Sequence, residues 1–178
     1  MTAPPIPEAW LRGPLAGVVP ALIPAAHTFL QLGEEIERVV PGLTSNQLWS
    51  EPGGAASVGF HLKHLAGSTD RLLAYARGSA LTEAQNAALA DEKLADRAAT
   101  AESLLARALG VIGEAIDQIR NTPEAVLLES REVGRLHLPS NVLGVLFHAA
   151  SHAQRHAGQI VTTAKIVRVW SPRATDEP

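Results

Sequence analysis

The sequence predicts an all-α protein, specifically a four-helix bundle with a long connection between its second and third helices. Three observations carry that expectation. Four long stretches repeat their apolar residues with the helical period of about 3.6. The apolar residues are mostly Ala, Leu, Val and Ile, with only 4% aromatics, a mix that lets helices pack closely on small side chains. Glycine, proline or a capping residue stands at the stretch ends.

Residues 1–16 are rich in proline and are expected to be irregular, with one bundle domain over 17–170 and a flexible tail over 171–178. The first helix is expected over about 20–40, because Pro20 and Pro24 suit opening turns better than an interior. Val19, Ile23, Ala26, Leu30 and Val40 form its expected apolar stripe. Pro41 and Gly42 end it, and a polar loop containing Gly53 and Gly54 follows. Ser57 is an N-cap for the second helix, which runs to Arg77 and the C-capping Gly78. Thr82 followed by Gln85 reads as a capping box for a short connecting helix over about 83–90.

Thr100 opens the third long helix. Its stripe is Leu104, Ala108, Val111, Ile112, Ala115 and Ile119, and Asn121-Thr122-Pro123 stops it. Residues 123–139 read equally as a small hairpin or an ordered loop around Val133-Gly134. Pro139-Ser140 is expected to open the last helix, about 141–168, with Val142, Leu146, Ala149, Ala153, Ile160, Ala164 and Val167 on its buried side.

Composition excludes several functions. The formal net charge is −3 and no basic stripe is present, so nucleic acid is not an expected partner. No uncharged apolar stretch reaches transmembrane length, and the N-terminus lacks a charged region followed by an apolar one. A cytoplasmic protein without a membrane partner is the expectation. The chain has no cysteine, so any metal must be held by His, Asp or Glu, and a reactive thiol must come from outside. Gly110 and Gly113 lie inside a helical pattern and form no nucleotide-binding loop.

The chemistry sits in the histidines. His152 and His156 are four apart on one face of the last helix and can reach one ion. Lys63, Asp70 and Arg77 recur every seven residues and mark the expected solvent side of the second helix. His61 and His64 both face the other way, and the helical wheel does not choose between them. Two imidazoles from one helix and a third from another leave one position open, which is the ligand set of a catalytic site. His148 precedes the pair by one turn. His27 is expected to be partly exposed, and His137 structural or exposed. Tyr75, Arg71 and Arg155 are candidates to line the approach to the ion, and Gln159 and Thr163 to hydrogen-bond its ligands.

His64-Leu65-Ala66 and His152-Ala-Gln-Arg-His156-Ala-Gly158-Gln159-Ile160, with Ser57 seven residues before His64, resemble the DinB/YfiT-like superfamily of metalloenzymes. The helix layout agrees with that family over about residues 17–168. The resemblance implies His64, His152 and His156 as ligands of a divalent ion, zinc or nickel, and it implies a homodimer. It also implies a metal-dependent enzyme on a small-molecule substrate, such as a transferase using a low-molecular-weight thiol as cosubstrate. A metal-dependent hydrolase and a non-catalytic, metal-binding stress-response bundle are the alternatives. The roles of His61 and His148 are not settled by the family pattern.

Overall fold

The computed structural model describes residues 7–169, so the expected tail over 171–178 lies outside the described residues. In chain order the elements are α1 (Ile23–Val39), α2 (Ser45–Trp49), α3 (Val58–Ala76), α4 (Glu83–Asp91), α5 (Ala101–Arg120), β1 (Ser130–Val133), β2 (Leu138–Asn141) and α6 (Val142–Val169). The protein is mostly helical. α3 packs on α6 and α5, and α1 packs on the same two helices, so the four long helices close into a ring.

The ring is filled by Phe29, Leu32 and Ile36 of α1 and Leu62, Leu65 and Leu73 of α3, with Ile112 and Ile119 of α5 and Leu146 and Ile160 of α6. Each such side chain contributes about 1.5–3 kcal/mol on burial. Ala149, Ala153 and Ala157 form a fully buried small-residue ridge on α6, against which neighbouring backbones come close. The α1 stripe differs from the expected one: Ile23 and Leu30 are only partly buried. A 3-10 turn at Pro20–Leu22 delays the α-helix to Ile23 and turns Phe29, Leu32 and Ile36 inward instead.

The caps fall where the sequence places them. Ser57 accepts from the Phe60 N–H at 3.1 Å, and Thr82 and Thr100 both close capping boxes. One helix was not expected. The Thr44–Gln47 capping box starts α2 within the supposed polar loop, and Leu48 and Trp49 of α2 are buried. The Trp49 ring lies over Gly59, where a Cβ would come within 2.6 Å of it.

The all-α expectation is corrected by a two-stranded antiparallel hairpin pairing Ser130 with Asn141 and Val133 with Leu138. Its turn uses Gly134 and His137, both at positive φ. Pro139 and Ser140 therefore belong to β2 rather than to the last helix. Proline is tolerated in so small a sheet because both strands are edges. The capping role passes to Asn141, whose Oδ1 accepts from the Gly144 N–H at 2.7 Å.

The N-terminal segment is docked on α1. Ala9 N–H donates to Gln31 Oε1 at 2.9 Å, and Arg12 forks onto the Glu34 carboxylate. His27 is buried rather than partly exposed, its Nε2 bonded to the Gly13 carbonyl at 2.9 Å. Lys63 is buried too, which corrects the expected solvent face of α3: the segment around α4 covers it. Among the described residues, no helix is long and apolar enough to cross a membrane.

Candidate metal centre

His64 stands on the second turn of α3, seven residues after its Ser57 cap. His152 and His156 stand one turn apart in the middle of α6. Packing of α3 against α6 brings the three rings together, and one ring nitrogen of each lies within 4.8 Å of the others. His64 Nε2 and His152 Nε2 are 3.0 Å apart. The His64–His156 and His152–His156 ring centroids are 4.5 and 4.6 Å apart.

The far nitrogens of the rings have different partners. His64 Nδ1 lies 2.7 Å from Glu92 Oε2 and donates to it. Glu92 is fixed in turn by Arg71, whose guanidinium donates to Oε1 at 2.6 Å. His156 Nδ1 lies 3.0 Å from His61 Nδ1, and one of the two must donate. His152 Nδ1 lies 2.8 Å from the Arg155 guanidinium. Arginine only donates, so here Nδ1 accepts and the His152 proton sits on Nε2, toward His64.

Electrostatics keep His61, His152 and His156 neutral. Burial first, then Arg155 and the neighbouring imidazoles, pushes His152 down to about 4. Burial, then His64, His152 and His61, pushes His156 down to about 3. Burial and His64 lower His61 as well. Burial would raise Glu92, but hydrogen bonds from His64 and Arg71 outweigh it and keep the carboxylate ionised.

This arrangement fits a divalent ion. His156 Nε2 is buried and has no hydrogen-bond partner, an expensive state for a ring nitrogen unless something else occupies its lone pair. Neutral imidazoles are the form that ligates. The 3.0 Å between His64 Nε2 and His152 Nε2 is near the ~3.3 Å between two ligand atoms of a tetrahedral ion bonded at about 2.0 Å. His64 carries a carboxylate on its far nitrogen, the common arrangement behind ligating histidines.

The other expected residues divide. His61 is buried against His156 and outside the three-ring group. His148 is exposed, its ring 5.6 Å from that of His152. His137 is exposed and bonds Glu132. Tyr75 packs at the edge of the core. Arg71 is buried on Glu92 and so is not a free approach residue, whereas Arg155 is exposed at the rim. Gln159 is exposed and Thr163 buried, and among the described residues neither bonds an imidazole nitrogen. Those places belong to Glu92, His61 and Arg155. Glu92 escapes notice in the sequence because it lies 28 residues from His64, just past the end of a helix with no apolar pattern.

Phe60 stacks on His64 with ring centroids 5.6 Å apart. It also lines a cleft of about 260 Å³ with Trp49, Ser57 and Lys93, and no cluster histidine borders that cleft. A larger groove of about 750 Å³, bordered by Arg12, Glu34 and Arg38, contains none of the cluster histidines.

A ring of long helices with a three-imidazole cluster between α3 and α6 defines a helical protein whose cluster is compatible with a divalent ion. The sequence profile of the DinB superfamily matches residues 28–160, and the chain belongs to that superfamily. The fold is similar to the crystal structure of a DinB-like protein from Bacillus cereus ATCC 10987. The TM-score is 0.59 at 16% identity, over 82% of this chain and 95% of that one. No curated protein matches the sequence.

Proposed function

We propose that this protein is a divalent-metal-dependent enzyme whose ligands are His64, His152 and His156, and that it acts as a thiol-dependent transferase on a small molecule. The observation that carries the reading is the buried, unpartnered Nε2 of His156 beside two further imidazoles. Zinc or nickel suits an all-imidazole donor set. Such an ion supplies a positive charge and an open position, at which the pKa of a thiol or water falls.

The chain's own residues do the rest. Glu92 accepts a hydrogen bond from the Nδ1–H of His64, which leaves Nε2 unprotonated. His61 is the acceptor available to a His156 Nδ1–H, which would likewise free the buried Nε2. Phe60 stacks on His64 and walls one side of the rings. Arg155 at the rim is a donor for a carboxylate on a thiol or acceptor.

Transfer is favoured over hydrolysis because the carboxylate beside the rings is committed. Glu92 is 5% exposed with both oxygens bonded, so it is no general base for water. The nucleophile must then be brought in, because the chain has no cysteine.

The test begins with metal analysis of protein purified without a histidine tag, where about one ion per chain is expected. Cobalt-substituted protein is then titrated with bacillithiol, mycothiol, glutathione and cysteine. A perturbed cobalt spectrum with one thiol supports the transferase. No response to any of them leaves a hydrolase or a non-catalytic metal protein as the better reading.

A further inference from the structure

The segment between α3 and α5 reaches the histidine cluster without an apolar anchor. No side chain of α4 is buried. Its hold on α3 is polar instead. Lys63 Nζ donates to the Asp91 carbonyl and carboxylate, both at 2.8 Å, and to the Leu94 carbonyl at 3.0 Å. Gln85 bonds Asp70 at 3.0 Å. Between these contacts Glu92 turns fully inward, onto Arg71 and His64. Gly67 makes the space: a Cβ there would collide with Glu92 Oε1 and crowd the Arg71 guanidinium.

We propose that Glu92 is a positioning residue for His64, and that through it filling of the histidine site and docking of residues 83–94 are coupled. The inference rests on His64 being a metal ligand. An ionised carboxylate on Nδ1 fixes the tautomer and the ring orientation, and makes Nε2 the better donor. The carboxylate is held there by Arg71, and the backbone on either side of it by Lys63. Whatever favours the docked segment therefore favours a correctly aimed His64. By linkage an ion on His64 favours the docked segment to the same extent. A segment with no buried side chain in its helix has little else to oppose its opening.

Zinc affinity is measured by chelator competition in the wild type and in Glu92→Gln, Glu92→Ala and Lys63→Met. Hydrogen exchange over residues 83–94 is followed with and without zinc. Glu92→Ala is expected to weaken zinc by about 10–100-fold, and Glu92→Gln, which keeps an acceptor toward His64, by less. Lys63→Met touches no imidazole, yet it is expected to weaken zinc several-fold. Zinc should slow exchange over residues 83–94 in the wild type. A purely structural Glu92 would loosen the segment without changing zinc affinity.

The proposal is overturned if folded Glu92→Ala binds zinc within twofold of the wild type, or if zinc leaves exchange in the segment unchanged. Should Glu92→Ala fail to fold, Lys63→Met and the wild-type exchange decide. A wild type that takes up no zinc sinks both this inference and the metal reading. A wild type that takes up one zinc without these couplings sinks this inference alone.

Discussion

His61 and His64 look alike on a helical wheel, yet their surroundings give them different work. His64 joins the three-nitrogen group and carries Glu92, while His61 backs His156. His64→Ala is therefore expected to empty the site, and His61→Ala to retain an ion at about 10–100-fold weaker affinity. Equal metal loss in the two, or greater loss from His61→Ala, reverses the assignment. Arg155 gives a second expectation. Its guanidinium occupies the His152 nitrogen that must carry the proton if Nε2 is to ligate. Arg155→Met removes that competitor, so zinc should bind as tightly or several-fold more tightly. A large loss of affinity on titration would show that Arg155 supports the site instead.

Among the elements, the capped and periodic ones were legible in the sequence. Ser57, Thr82 and Thr100 announce their helices because a cap is a local hydrogen bond that needs no tertiary partner. The α2 signal was present as well, in Thr44 and Gln47, but five residues are too few to show a period. The fate of residues 123–139 turned on a tertiary choice: pairing with β1 drew Pro139 and Ser140 into a strand and left Asn141 to cap α6, which starts at Val142. The histidine pair on α6 that joins the cluster was legible from spacing alone. Glu92 was not, since only the folded connection brings it to His64. Packing of α2 carries its own test. Gly59→Ala forces a methyl group into the Trp49 ring and should destabilise the protein by about 1–3 kcal/mol in chemical denaturation. An unchanged midpoint would mean that α2 yields without cost.

For the molecule as a whole, the hairpin and the first turns of α6 carry exposed apolar groups, as do the N-terminal segment and the α4–α5 connection. Leu136, Leu138 and Phe147 are 81, 57 and 60% exposed. A homodimer is expected at micromolar concentration, with Phe147→Asp weakening it; a monomeric mass from light scattering for the wild type rules it out. Acid sensitivity is also a property of the whole. His152 and His156 stay neutral in the folded chain down to about 4 and 3, whereas unfolded histidine takes up a proton near 6.5. Below about 6.5 the unfolded state therefore binds more protons, and the metal-free fold loses stability as pH falls toward 4. Glu92, held below its usual range, adds to the loss at still lower pH. Denaturation midpoints of metal-free protein between pH 7 and 4.5 check the sign, and a flat profile contradicts it.

His64 and His152 stand 88 residues apart in the chain, yet their rings touch. An ion gripping both would act on the chain as a cross-link acts, tying α3 to the final helix and closing a loop that contains α4, α5 and the hairpin. A tie of that span removes freedom from the unfolded chain worth about 4–5 kcal/mol when it is a disulfide. In a protein that has no cysteine to make one, a metal would take over the office of the staple. Stripping it with a chelator should lower the melting temperature by several degrees and leave the helices formed.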